Sequence, residues 1–93
     1  MAIEINSVLG QRENTHGDFS SNSTLTMELL QICKKQIEFG LLPKPIQFAI
    51  FMILHKTSRA ICGDHKYSDH WVDIQGYANL AMKASQTGGF DID

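Results

Sequence analysis

Ile46-Gln47-Phe48-Ala49-Ile50-Phe51-Met52-Ile53-Leu54-His55-Lys56-Thr57-Ser58-Arg59-Ala60-Ile61-Cys62 is the stretch whose reading decides the fold. From Ile46 to Leu54 apolar residues occur nearly all round a helical wheel. Such a segment is expected to be the central helix of a bundle or of a dimer interface. Its polar residues gather at the C-terminal end, as His55, Lys56, Ser58 and Arg59. Pro45 suits the first turn, and Gly63 is expected to stop the helix as a C′ residue. The apolar run Ile50 to Leu54 is far too short to span a bilayer.

Upstream, Ser20 to Ser23 offers several N-cap side chains for a helix reaching about Phe39. Leu25, Leu29, Ile32 and Cys33 keep the helical spacing there, and Gln36 and Ile37 continue it. Gly40 is expected to end that helix, with Leu41 to Pro45 as the connection. Downstream, Asp64 to Ser68 reads as a loop, and Ser68 or Asp69 as the cap of a last helix running to about Ser85. Near the start, Ile3 to Gly10 predicts a short helix, followed by a polar loop over Arg12 to Phe19. No segment shows sustained period-two alternation. The expected fold is all-α: a small bundle of three main helices plus a short N-terminal one. Residues 1–85 are expected to form a single domain and residues 86–93 a flexible C-terminal tail.

Charged residues make up only 19% of the chain against 43% apolar, with four Met and five Phe. That balance predicts apolar surface covered by a partner chain, and hence a homo-oligomer. The formal net charge of -2 supplies no global basic field, so no DNA partner is expected. Cys33 and Cys62 lie in apolar helical runs without a CxxC neighbour, as buried free thiols do. Met-Ala-Ile-Glu-Ile-Asn lacks the basic n-region and apolar core of a signal peptide. A cytoplasmic protein without a membrane association is expected.

The residues with chemistry concentrate in Asp69-His70-Trp71-Val72-Asp73-Ile74-Gln75-Gly76-Tyr77-Ala78. Helical spacing puts Asp69, Asp73 and Tyr77 in one column, with Gly76 beside it and His70 and Trp71 flanking. Asp69 and Asp73 could hold magnesium together with substrate phosphates. Alternatively, Asp69 is a first-turn acid favoured by the helix dipole and Asp73 pairs with Lys56 or Arg59. Trp71 is a core residue or a stacking platform for a base. Gly76 costs about 1 kcal/mol relative to Ala in mid-helix, which suggests close approach of a neighbouring helix or a ligand. The Tyr77 hydroxyl needs a partner if buried, and Asp73 is one turn away.

Lys56 and Arg59 share a helix face and could clamp a phosphate, or simply complement the C-terminal dipole. His16-Gly17-Asp18 leads into a helix N-terminus, where backbone N–H groups attract anions. With Arg12 it could form a phosphate site; otherwise Asp18 or Ser20 caps the helix. There is no P-loop, GxGxxG or GxSxG, and no Ser or Cys sits in a nucleophile motif.

Arg12-x-x-x-His16-Gly17-Asp18-Phe19, Lys56-x-x-Arg59 and Asp69-His70-Trp71-x-Asp73-Ile74-x-Gly76-Tyr77-Ala78 together resemble a small family of tailed-phage proteins without an assigned function. In motif order the chain is similar to the phage "nucleotide modification associated" helical domain, over about residues 11 to 82. A more distant likeness is to the all-α nucleotide pyrophosphohydrolases of the MazG type, which bind magnesium with E-x-x-E and E-x-x-D pairs. Here the comparable spot is Glu28-x-x-Gln31, with one carboxylate instead of two.

These resemblances imply a phage protein acting in a bacterial host. The first expectation is binding of a nucleotide or cyclic nucleotide without chemistry, to sequester a defence signal or assist phage nucleotide metabolism. Arg12, His16, Gly17, Asp18, Lys56, Arg59, His70, Trp71, Asp73 and Tyr77 are the expected ligand-binding residues. The alternatives are a magnesium-dependent phosphohydrolase, with Asp69 and Asp73 as metal ligands, and an inhibitor that binds a host defence protein.

Overall fold

The computed structural model describes residues 12–87, and every regular element among them is an α-helix. In chain order these are α1 (Phe19–Lys34), α2 (Ile37–Leu41), α3 (Lys44–Cys62) and α4 (Ser68–Thr87), preceded by helical residues 12–16. The all-α expectation with three long helices is met. The helix expected over Ile3 to Gly10 and tail residues 88–93 lie outside the described residues.

α3 is central, packed against α1 on one side and α4 on the other. Pro45 sits in its first turn, where a missing N–H costs nothing. Leu30, Phe39, Ala49 and Ala60 are the buried apolar side chains among the described residues, and Asn22, Thr26, Ser58 and His70 are buried with them. The polar members are satisfied locally: the Thr26 hydroxyl donates to the Asn22 carbonyl at 2.8 Å and the Ser58 hydroxyl to the Leu54 carbonyl at 2.9 Å. Cys33 and Cys62 are free and half-buried. No described helix is long and apolar enough to cross a membrane.

α1 is capped by Asp18, whose carboxylate accepts from the Ser21 N–H at 2.7 Å and the Ser21 hydroxyl at 2.9 Å. Its buried stripe is Asn22, Thr26 and Leu30, while Ile32 is left exposed. The helix ends at Lys34, earlier than the expected Phe39, because Gln36 is extended. That break re-aims the following turn and buries Phe39, leaving Ile37 and Leu41 outside. Gly40 lies within α2 instead of ending a helix. The stop falls at Leu42 (φ -68, ψ 149), since Pro43 forces the residue before it into an extended conformation.

The expected polar loop over Arg12 to Phe19 is helical over residues 12–16, and Gly17 (φ 77) closes that turn in the left-handed conformation of a C′ glycine, its N–H bonded to the Glu13 carbonyl at 2.9 Å. Gly63 serves differently. Its φ of -115 is open to any residue, but a Cβ there would collide with the Thr15 carbonyl and lie 2.5 Å from the Gly17 nitrogen. A Cβ on Gly17 would in turn lie 2.5 Å from the Cys62 Cβ. The two glycines thus let residues 15–17 cross the end of α3 in backbone contact. The Asp64 N–H locks the crossing by donating to the Thr15 carbonyl at 2.9 Å. This crossing brings the N-terminal motif to the polar end of α3.

Candidate functional site

Residues 12–18, the C-terminal half of α3 and the start of α4 meet at that crossing. His70 is buried, and its Nε2 lies 2.6 Å from the Thr15 carbonyl. A carbonyl only accepts, so Nε2 carries the hydrogen and donates it. The Thr15 carbonyl is therefore shared by Asp64 and His70, which ties the N-terminal segment to α4. The His16, Tyr67 and His70 rings pack edge-to-face, with centroids 5.2 to 5.7 Å apart.

Beside this cluster lies a cavity of about 480 Å³. Arg12, Glu13, His16 and Gly17 line it from the N-terminal segment, Phe19 and Asn22 from α1, and His55 and Arg59 from α3. Asn22 sets its rim: the side-chain N–H₂ donates to the carbonyls of His16 (3.2 Å), Gly17 (3.4 Å) and Asp18 (2.9 Å). Those acceptors fix the orientation of the amide, so no flip is open to it.

The cavity wall is cationic and partly desolvated. Burial, then the charge of Arg59, then those of His70, Arg12 and Lys56, push the His16 imidazole down to about 4, so it is neutral at pH 7. His55 is lowered by burial and by Arg59 and Lys56. Arg59 itself is held below the usual guanidinium range by burial and by the neighbouring Arg12, against the opposing pull of Asp73 and Tyr67. His16 Nδ1 and Arg59 Nε are buried and have no hydrogen-bond partner among the described residues. Buried polar atoms are normally paired, so this part of the wall has bonding capacity that the fold does not use.

The acidic column of α4 is engaged elsewhere. Asp73 pairs with Lys56 at 3.1 Å, not with Arg59. Asp69 hydrogen-bonds Tyr67 and, with its charge, raises the phenol above its ordinary value. Among the described residues no three His, Cys, Asp or Glu side chains converge as a metal site. Glu28 lies on another surface of α1, beside Ser23, Thr24, Met27 and Gln31. Asp69 and Asp73 are thus each engaged by a neighbouring side chain, Tyr67 and Lys56, and Glu28 lies apart from both.

Of the expected ligand-binding residues, Arg12, His16, Gly17 and Arg59 share the cavity. Lys56 stands one turn from Arg59, turned to Asp73, and His70 supports His16 from behind. Asp18 is occupied as the α1 cap. Trp71 donates its indole N–H to the His65 carbonyl at 2.7 Å, and Tyr77 packs edge-to-face on Phe48 in a separate groove. Among the described residues no other element approaches Gly76: beyond its own helix turn, a Cβ there would meet nothing within 4 Å. The cavity also uses Glu13, Phe19, Asn22 and His55. Two of these left a sequence signal: Asn22 is four residues after Asp18, and His55 is four before Arg59, each one helical turn away.

No curated protein and no solved structure matches the chain. Residues 4–85 match a family described as a domain of unknown function, which covers both the His16 motif and the α4 column. The chain belongs to that family, DUF6378.

Proposed function

We propose that this chain binds a phosphorylated small molecule of nucleotide size in the cavity between residues 12–17, α1 and α3, without turning it over. The observation that carries the reading is Arg59, a guanidinium with a buried, unpartnered Nε on a wall it shares with Arg12. Two like charges held together at a cost in the free protein are stabilised when an anion arrives between them. The volume suits a nucleotide, since ligand pockets run from about 300 to 1,000 Å³. Phe19, largely exposed at the cavity edge, offers a face for a base to stack on.

The resemblance to tailed-phage proteins supports two settings for such binding: sequestering a nucleotide signal of host defence, or assisting phage nucleotide metabolism. A magnesium-dependent phosphohydrolase has less support, because Asp73 is neutralised by Lys56 and lies outside the cavity wall. Phosphoryl chemistry needs converging carboxylates to place the metal.

The test is a thermal-shift screen against nucleoside mono-, di- and triphosphates and cyclic dinucleotides, followed by calorimetry. A ligand at 100 times its Kd raises stability by about 2.7 kcal/mol, a shift easily read. The reading fails if no phosphorylated compound shifts the protein at high concentration, or if a shift persists unchanged in Arg59→Ala.

A further inference from the structure

Two stretches of sequence with the same pattern line one cavity. Arg12 and His16 stand four residues apart in the helical residues 12–16, and His55 and Arg59 four apart in α3. Each arginine therefore has an imidazole one helical turn away on its own face. The crossing of Gly17 over Gly63 brings both pairs to the same space. That space holds two guanidiniums, which stay charged, and two imidazoles, each able to gain a charge near neutral pH.

The surroundings of both rings are cationic. His16 meets Arg12 from its own segment, Arg59 and Lys56 from α3, and the edge of the His70 ring from α4. Tyr67, also edge-on to His16, keeps its proton because Asp69 holds it. His55 has Phe51 stacked beside it at 6.4 Å and feels Arg59 and Lys56 along α3. The nearby carboxylates are occupied: Asp18 accepts from Ser21, Asp69 hydrogen-bonds Tyr67 and Asp73 pairs with Lys56. Glu13 is the acidic side chain of the cavity lining, and it is exposed to water. Burial and this excess of positive charge keep both rings neutral at pH 7 in the free protein.

An anion between the arginines reverses that balance. Its charge offsets the guanidiniums that oppose protonation of the rings, and a protonated ring offers a second N–H donor. It is also an acceptor, which the buried His16 Nδ1 and Arg59 Nε lack among the described residues. We propose that the cavity takes up its anion together with a proton carried by the His16 and His55 rings, so that binding tightens as pH falls. The inference rests on the reading of this cavity as a phosphate site and gives that site its regulation. Proton and anion binding are linked, so each strengthens the other by the same factor.

Sulfate is the probe, because its own charge stays fixed across the pH range used. The histidine ring resonances of the full chain are followed by NMR from pH 4 to pH 8, in sodium sulfate and in sodium chloride of equal ionic strength. His65, exposed in the loop before α4, is the internal control. In sulfate the titration midpoint of His16 should rise by about one pH unit, equivalent to about tenfold tighter binding to the protonated ring, while that of His65 stays in place. In Arg59→Gln the free ring should already titrate higher, and sulfate should move it less. If acid unfolds the chain before the free ring titrates, affinity decides instead: sulfate should bind about twofold tighter at pH 5 than at pH 7. Equal movement of His16 and His65 overturns the proposal. So does a response of the arginine side-chain signals to sulfate while both cavity rings stay fixed, a result that leaves the anion site standing. If neither sulfate nor ADP disturbs any signal of the cavity, the anion site itself falls and the proton linkage with it.

Discussion

The Lys56 ammonium and the Asp73 carboxylate meet at 3.1 Å between α3 and α4, and among the described residues this pair leaves Arg59, one turn further along α3, without an ion-paired carboxylate. Lys56 is the more enclosed partner, at 15% side-chain exposure against 45% for Asp73. Water screens such a half-open pair, so its direct worth is about 1 kcal/mol. Its larger effect is on charge distribution. Neutralised on its Asp73 side, Lys56 permits Arg59 and Arg12 to stay close together. Asp73→Asn should therefore lower stability by about 1 kcal/mol, a Tm decrease of about 4–8 °C for a chain of this length. Anion affinity should be kept or raised, because a negative charge near the cavity is gone. Abolition of binding with the Tm unchanged would place Asp73 on the ligand and refute this assignment.

Arg59→Ala should separate binding from folding. In the free protein the guanidinium is partly desolvated, repelled by Arg12 and unpaired at Nε. Its loss is expected to leave chemical-denaturation stability unchanged within about 0.5 kcal/mol, or to raise it, while the ligand-induced thermal shift disappears. Arg59→Lys should recover only part of the shift, since an ammonium cannot bond a phosphate bidentately.

The His16 imidazole, pushed down to about 4 from 6.5, sets a pH dependence whose sign is opposite to that of a salt-bridged histidine. The folded state favours the neutral ring, so the unfolded chain binds more protons between these values. The stabilising contribution is complete above pH 6.5 and declines as pH falls toward 4. Because water reaches part of the ring, about 1 kcal/mol of the decline is assigned to His16 rather than the full shift. His55, lowered in the same direction, adds to it. Urea midpoints at pH 7 and pH 5 should differ in this sense, and the difference should shrink in His16→Gln. Equal midpoints in the unaltered protein would contradict the desolvated, cation-flanked setting of the ring.

Two glycine substitutions should move stability in opposite directions. Gly63→Ala drives a Cβ into the Thr15 carbonyl and toward the Gly17 nitrogen, both backbone atoms that cannot rotate away. About 3 kcal/mol of destabilisation is expected, together with loss of ligand binding, since the same crossing positions His16. Gly76→Ala adds a methyl group into open space in the middle of α4 and should stabilise by up to about 1 kcal/mol. Denaturant midpoints of the two variants check both signs; destabilisation by Gly76→Ala would mean that something beyond the described residues packs against α4 there.

The amino-acid sequence by itself determined that the chain is all-α with three long helices. Helical periodicity, Pro45 in a first turn and the apolar ring from Ile46 to Leu54 are local or one-dimensional signals, and α3 takes its central place because no other segment is apolar on every side. Sequence motifs also single out Arg12, His16 and Arg59, which the fold brings to one cavity. Tertiary structure alone decided which of the polar residues meet. Asp73 could reach either Lys56 or Arg59 by spacing, and only the packing of α4 on α3 selects Lys56. Trp71, two positions from Asp73, points about 200° away round α4, while Tyr77 shares the Asp73 column but sits one turn further along, where it meets Phe48 and not Lys56. Likewise the crossing of Gly17 over Gly63 depends on contacts between residues far apart in the chain, where local propensity carries no information. The same physics turns an acidic column on one helix into the counter-charge for Lys56 and leaves a pair of arginines facing a cavity.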